Sequence, residues 1–347
     1  MGFEPAVNRA WRPLPVRTDQ IDDPWLLQQL RTARKIACIT HIDPDADGLG
    51  SQLGFLRAAR ASGREALIVN DDPCPVRYRW LDRDGDVGDF DHDAAALQGC
   101  DLGLLFDANE EGRAGRPLRT LQAAGVPVLL VDHHEVGPRC TLQGLVATRF
   151  SSSGEVAFRL LTALGWPIDA VVAEPLYAAM SFDTGSFRFL RNDPETLRAA
   201  AALLATGFDA NPVQEALFAS RPFAETLVLA RVLGRIERST DGRVAWAVVP
   251  PEAIADLDVP RDAIGECMPF IIGIEGVQAA ALFKPGRAPG EWKLSLRSKA
   301  GTPVGHICTE RGGGGHAYAA GATLQGNIGP LVGEVVAALQ RAVEAAP

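Results

Sequence analysis

The stretch Lys35-Ile-Ala-Cys-Ile-Thr40-His41-Ile-Asp43-Pro-Asp45-Ala-Asp47-Gly-Leu-Gly50-Ser51 turns from an apolar run into a polar loop within a few residues. An apolar run bounded by turn formers, Lys35–Thr40, predicts a buried strand, and the periodic stretch Leu49–Ser62 predicts the helix that follows. The same alternation returns downstream. Runs at Ala66–Asn70, Asp101–Phe106, Val126–Val131 and Gly144–Thr148 predict further strands, with a helix over Pro117–Ala124. Short strands alternating with helices fold as βαβ units, so an α/β domain is expected, with a mostly parallel five-stranded sheet and flanking helices. Ser151–Ser153 followed by Glu155 reads as a helix N-cap, and Ile168–Met180 and Pro194–Thr206 predict two more helices.

After Gly207 the pattern changes. Asn211–Gly234 predicts helix, punctuated by Pro212 and Pro222, and Val244–Val249, Val277–Phe283 and Trp292–Arg297 predict strands. A glycine cluster, Gly312–Gly315, precedes a helical tail over Pro330–Ala346. A length of 347 residues exceeds the usual single domain. The expected organisation is an extension over 1–24, a catalytic domain over 25–206, a linker over 207–225 and a smaller α/β domain over 226–347.

Composition narrows the function. The formal charge of −9 lacks the basic signature that long nucleic acid selects through counterion release. A small polyanion remains compatible, provided metal ions and a few arginines focus positive charge in one cleft. The six cysteines are scattered without a CxxC pair, which argues against a zinc framework and for a reducing compartment. The first residues carry no apolar signal-peptide core, and no apolar run is long enough to span a bilayer. A cytoplasmic protein away from membranes is expected, with the oligomeric state, a homodimer included, left open.

Four polar constellations stand out. His41, Asp45 and Asp47 offer an imidazole and two carboxylates in one turn, a donor set suited to Mn²⁺ or Mg²⁺. An acidic turn that caps the next helix is the alternative reading. Asp107 closes the run Leu102–Phe106, with Arg113 six residues on. Val131-Asp132-His133-His134-Glu135 places adjacent histidines between acids, so that one imidazole can ligate while an acid holds its second nitrogen. Ser181-Phe-Asp183-Thr-Gly-Ser-Phe187 adds a further carboxylate, or else an Asp-Thr-Gly turn. Three of these motifs end predicted strands and would meet at one sheet edge. Four clustered carboxylates repel one another, and two divalent cations remove that cost.

With these residues the chain resembles the DHH phosphoesterase family, whose triplet stands here as Asp132-His133-His134. Gly312-Gly-Gly-Gly315-His316-Ala-Tyr-Ala-Ala-Gly321 is similar to the DHHA1 signature that accompanies it, and Lys293-Leu-Ser-Leu-Arg297-Ser298 resembles the strand before that loop. The resemblance covers nearly everything from about residue 34, and small departures at Asp43, Ala46 and Arg311 remove no ligand. It implies two manganese sites, one held by His41, Asp45 and Asp107 and the other by Asp47, Asp107, His133 and Asp183, with magnesium as the alternative ion. It also implies Asp132 as a supporting group, His134 at the scissile phosphate, and Arg113, Arg297, Ser298, Gly313, Gly314, Gly315 and His316 at the substrate.

The two-domain layout resembles the branch of nano-RNases and 3′-phosphoadenosine 5′-phosphate phosphatases more than the single-strand exonucleases, which add an oligonucleotide-binding fold. The implied activity is hydrolysis of di- to pentanucleotide RNA and of 3′-phosphoadenosine 5′-phosphate. Long double-stranded nucleic acid is not an expected partner. A cyclic-dinucleotide phosphodiesterase, a pyrophosphatase and a non-catalytic nucleotide sensor are the other readings. A serine hydrolase is excluded by the lack of a G-x-S-x-G elbow.

Overall fold

Asp23 begins the first helix, α1 (Pro24–Thr32), by accepting the amides of Trp25 and Leu26 on its carboxylate. The chain then runs through β1 (Lys35–Ile39), α2 (Ala46–Ala61), β2 (Glu65–Asn70), β3 (Val87–Asp89), the single turn α3 (Phe90–Asp93) and β4 (Leu102–Phe106). It continues through α4 (Gly115–Ala123), β5 (Val128–Asp132) and β6 (Gly144–Val146) to four successive helices. These are α5 (Ser153–Leu164), α6 (Ala170–Asp183), α7 (Pro194–Leu204) and α8 (Ala210–Phe218). This computed structural model describes residues 21–346 except 22, 109, 136–139, 191–193, 258, 260–263, 266 and 287. Most of the expected extension over 1–24 therefore lies outside the described residues.

The first sheet has the order β3-β2-β1-β4-β5-β6, and every pairing in it is parallel. It has six strands, not the five expected. The extra one is β3, three half-buried residues with no apolar run to mark it. Every residue of β4 and β5 is buried, as parallel strands covered on both faces require. Ile36, Cys38, Leu104 and Phe106 pack with α2, α5 and α6 on one face, while Ala37, Ile39, Leu105 and Leu130 pack with α4 on the other.

The helices on the first face approach one another at glycine. A Cβ at Gly50 of α2 would strike the Pro175 carbonyl of α6, and one at Gly154 of α5 would strike the Ala179 side chain. That contact lets the first turns of α2 and α5 meet.

The chain divides into two compact units after Ser220. Residues 207–225 hold α8 and the start of α9 (Phe223–Leu233). The single helix predicted over Asn211–Gly234 is thus two, interrupted before Pro222, which has no amide with which to continue a helix. The second unit adds β7 (Ile236–Arg238), β8 (Val244–Val248), α10 (Met268–Ile272), β9 (Ala279–Pro285), β10 (Glu291–Ser298), α11 (Gly305–Thr309), β11 (Gly314–His316), β12 (Ala319–Gln325) and α12 (Ile328–Glu344). Its sheet has the order β11-β12-β10-β9-β8-β7, antiparallel except between β8 and β9. Helices α11 and α12 cover one face, α9 and α10 the other. Among the described residues no helix is long and apolar enough to cross a membrane.

Candidate metal centre

Strand order reverses between β1 and β4. The carboxyl ends of strands at such a reversal open a crevice, the usual ligand position of an open parallel sheet. β1 leads into His41, Asp45 and Asp47 there, β4 into Asp107, and β5 into Asp132, His133 and His134. The loops are tightly held. Asp43 and Asp107 sit at φ of 53° and 55°, an unfavourable region for residues other than glycine. Neighbouring bonds fix that shape: the Asp107 amide donates to the Val131 carbonyl at 3.1 Å, and the Ile42 amide to the Arg113 carbonyl at 2.7 Å. The Thr40 hydroxyl donates to the Phe106 carbonyl at 2.8 Å. Arg113 itself is exposed, and the contact it makes to this turn is through its carbonyl.

His41 lies with Nδ1 2.7 Å from the Ile42 carbonyl, which can only accept, so Nδ1 carries a proton and Nε2 faces the carboxylates. Nε2 is 3.7 Å from both Asp45 Oδ2 and Asp107 Oδ2. The other oxygen of Asp45 caps α2, accepting the amides of Asp47 and Gly48 at 3.0 and 3.2 Å. The side chain that caps the helix thus also turns its second oxygen towards His41. On the far side of Asp107, His133 Nε2 lies 3.8 Å from Asp107 Oδ1, 3.6 Å from Asp47 Oδ2 and 3.3 Å from Asp183 Oδ2. Asp183 is the last residue of α6. His134 Nδ1 lies 2.9 Å from Asp132 Oδ1, which also accepts the His134 amide at 2.8 Å, and 3.3 Å from Asp107 Oδ1.

The electrostatics follow from this crowding. Burial pushes the Asp47 carboxyl up, and the charges of Asp107, Asp183 and Asp45 add to the effect. Burial works on Asp107 in the same direction, but hydrogen bonds with His134 and His41 outweigh it and hold that carboxyl well below the usual range. His41 and His134 feel the converse. Burial disfavours their cations, yet their bonds to Asp107, with Asp45 and Asp132 respectively, raise both to about 10.

Three groups of side chains each bring donor atoms within 4.8 Å of one another: His41 with Asp45 and Asp107, Asp47 with His133 and Asp183, and Asp107 with Asp132, His133 and His134. All the donors are nitrogen or carboxylate oxygen, and Asp132 Oδ2 is buried without a hydrogen-bond partner among the described residues. Such a set fits divalent cations of the magnesium and manganese kind.

The DHH family N-terminal domain model matches residues 35–180, and the DHHA1 domain model matches 241–346. The bifunctional oligoribonuclease and PAP phosphatase NrnA of Thermus thermophilus is 32% identical over 83% of this chain and 83% of its own length. The chain belongs to the DHH family. It is accordingly a phosphoesterase, of a metal-dependent kind. The protein of the same name from Bacillus subtilis is 23% identical over 82% of this chain and 87% of its own. A crystal structure of an exopolyphosphatase-related protein from Bacteroides fragilis shares the fold, with a TM-score of 0.81 at 22% identity over 91% of this chain and 94% of that one.

Sequence reasoning passed over one part of the DHH centre. The first turn of α5 reaches into it: the Ser153 and Gly154 amides donate to the two oxygens of Asp47 at 2.8 and 2.9 Å, and the buried Ser153 hydroxyl donates to Asp107 Oδ1 at 3.0 Å. Ser152 caps the helix on the Glu155 amide, as Ser-Ser-Ser-Gly-Glu foretold. The Glu155 carboxylate, wholly buried, accepts from the Ser151 and Thr196 hydroxyls at 2.8 Å and from Arg159 at 2.6 Å. The cap was legible; its turn towards Asp47, 106 residues back, was not.

In the second unit the DHHA1 residues share one end of a sheet. Arg297 of β10 and His316 of β11 both pair with Ala319 of β12, so the three form one cross-strand row. Arg297 is exposed, Ser298 donates its hydroxyl to the Thr302 carbonyl at 2.5 Å, and the Gly313 amide donates to the Cys308 carbonyl at 2.8 Å. The glycines are not a free loop. Gly314 and Gly315 are strand, paired with Gly321 and Ala320, and a Cβ at Gly315 would meet the Ala319 carbonyl at 2.5 Å.

Proposed function

We propose that this phosphoesterase hydrolyses very short RNA oligonucleotides and 3′-phosphoadenosine 5′-phosphate with two divalent ions, manganese in preference to magnesium. The single observation carrying the reading is the position of Asp107. Its Oδ2 lies 3.7 Å from His41 and its Oδ1 3.8 Å from His133, so one buried carboxylate faces both halves of the cluster. His41, Asp45 and Asp107 would hold one ion, and Asp47, Asp107, His133 and Asp183 the other. When bound, such ions supply positive charge to a phosphoryl group and make water more acidic.

The chain's own residues do the rest. Asp132 fixes the His134 ring through Nδ1 and the backbone amide, and in this role the Nε2 of His134 would donate to a phosphoryl oxygen as its charge grows. Ser153 and Gly154 hold both Asp47 oxygens, so that carboxylate keeps one orientation through turnover. Arg297 and His316 would grip a second phosphate or nucleotide, the Arg fork being suited to that geometry. The relatives named for oligoribonuclease and PAP phosphatase activity support the substrate class.

A panel of RNAs from dinucleotide to long single strands, with 3′-phosphoadenosine 5′-phosphate, a cyclic dinucleotide and pyrophosphate, tests the proposal. EDTA should abolish turnover, and Mn²⁺ should restore it better than Zn²⁺ or Ca²⁺. Rates should fall as RNA lengthens, because a chain of charge −9 offers long strands little basic path. Full turnover after thorough chelation would sink the metal assignment. A long strand degraded as fast as a dinucleotide, at equal molarity and physiological salt, would sink the length preference.

A further inference from the structure

One residue after Asp183, beyond the right-handed Thr184, the backbone turns left-handed for three residues. Gly185, Ser186 and Phe187 have φ of 58°, 61° and 61°. L-residues visit this region singly, and a bulky aromatic there is a real outlier. The turn persists because its neighbours over-determine it. The Ser186 amide donates to the Ser181 carbonyl at 2.7 Å and the Phe189 amide to the Thr184 carbonyl at 3.0 Å. The Phe187 amide donates to the Thr184 hydroxyl at 2.9 Å, and the Ser186 hydroxyl to Gln214 at 2.8 Å. The Phe187 ring packs, tilted, against Tyr177 of α6 with ring centres 5.5 Å apart.

What this rigid turn presents is Arg188 and Phe189. Phe189 is 72% exposed, although a large apolar ring gains by burial. The ring is seated over Gly185: a Cβ there would lie 3.1 Å from two of its carbons. The Arg188 Nε donates to the Gly185 carbonyl at 2.6 Å, and its guanidinium lies 5.9 Å from the Phe189 ring centre. Gly185 is two residues from Asp183, so the seat lies within about 7 Å of the Asp183 Cα. The Asp183 carboxylate itself meets His133 at 3.3 Å. Backbone strain retained beside a reaction centre, and spent on holding an aromatic ring in water, points to a ligand for that ring.

We infer that Phe189 is a specificity-determining residue that stacks on a nucleobase of the substrate, with the Arg188 guanidinium beside the same base. The inference rests on the nucleotide-hydrolase reading above and extends it to the base nearest the scissile phosphate. A π-face is common to every base, so this contact confers affinity for nucleotides over simple phosphate esters without selecting a sequence. Arginine beside the ring adds cation–π attraction to the same stack.

The test compares a ribodinucleotide with the same dinucleotide lacking one base, each single abasic form in turn. Wild-type protein with Mn²⁺ should hydrolyse the intact dinucleotide with a lower KM than one of the abasic forms. Phe189→Ala and Phe189→Leu should raise KM for the intact dinucleotide about five- to a hundred-fold, with kcat and bound metal unchanged. Neither variant should change KM for that abasic form, and Phe189→Tyr should restore the wild-type value. An unchanged KM for the intact dinucleotide in both variants overturns the stacking. So does an equal rise for intact and abasic substrates, which would make the turn a support of the metal centre. A wild-type protein that hydrolyses no dinucleotide overturns the nucleotide reading itself, and this inference with it.

Discussion

The two sheets carry their polar residues in opposite ways. At the edge of the parallel sheet His41, Asp47, Asp107, Asp132 and His133 are all at most 4% exposed, and each is bound to or packed against another charge. In the second sheet Arg297 and His316 stand exposed on one cross-strand row, and glycines flank them. A buried ionised group removed from its set leaves the others stranded, at a cost of about 3–5 kcal/mol for a broken pair. An exposed one comes away with little disturbance. The contrast teaches that a fault in the first sheet should be felt as a fault of assembly and, under the substrate role proposed for Arg297 and His316, one in the second as a weaker grip.

Asp107→Ala attacks the contrast at its strongest point. Among the described residues no other side chain faces both halves of the cluster, so the variant should lose at least one metal and more than about a hundred-fold in kcat, beyond the range for supporting residues. Elemental analysis with kinetics checks this, and two retained metals with near-native rates would break the comparison. Arg297→Ala and His316→Ala should do the reverse. Both should keep their metals and kcat while KM for nucleotides rises about ten- to a hundred-fold, the worth of one charge-assisted bond. Equal losses on a nucleotide and on a generic phosphodiester would mean that the second sheet supports the chemistry. Ser153→Ala sharpens the boundary within the first sheet. Its amide survives and only the hydroxyl on Asp107 is lost, so metal affinity should fall about tenfold, and an unchanged metal titration would remove Ser153 from the centre.

The smallest effect is a pair of opposed slopes with pH. His41 and His134 are raised to about 10 when carboxylates alone face them. A folded pKa above the unfolded value of about 6.5 contributes stability that is complete below that value and lost as pH rises through the folded one. Chelated protein should therefore lose Tm between about pH 7 and 10. A divalent ion held by His41 competes with the proton on that ring, so metal affinity should rise across the interval. A flat Tm in EDTA would show that the histidines are not held by the carboxylates.

Much of the first sheet was legible because buried parallel strands read as apolar runs, and the polar residues ending those runs had nowhere to go but one edge. β3 gave no such run: Val87-Gly-Asp89 pairs only three residues at the sheet margin. The break between α8 and α9 was half written in Pro222, yet the apolar period on both sides of it suggested one helix. Ser153 escaped for a different reason. Its cluster of serines declared a helix start, while the carboxylates it binds lie 46 and 106 residues earlier in the chain, a contact that only packing of α5 on α2 creates. The left-handed turn at Gly185–Phe187 was hidden because nothing in Ser-Phe announces a positive φ, whereas the Asp-Thr-Gly before it announced only a bend.

Helix α2 is buried along nearly its whole length, from Ala46 to Ala59 with Arg57 the exception, and meets α6 at backbone distance through Gly50. Amides of a helix buried in this way are expected to exchange hydrogen only when the whole unit opens. Asp47 rides on the first turn of that helix, so its place in the cluster is tied to the opening of α2. On heating, then, activity should not fade ahead of the fold. Inactivation and the loss of slow-exchanging α2 amides should follow one common time course, and the working life of the enzyme at a given temperature becomes the waiting time for a single global opening.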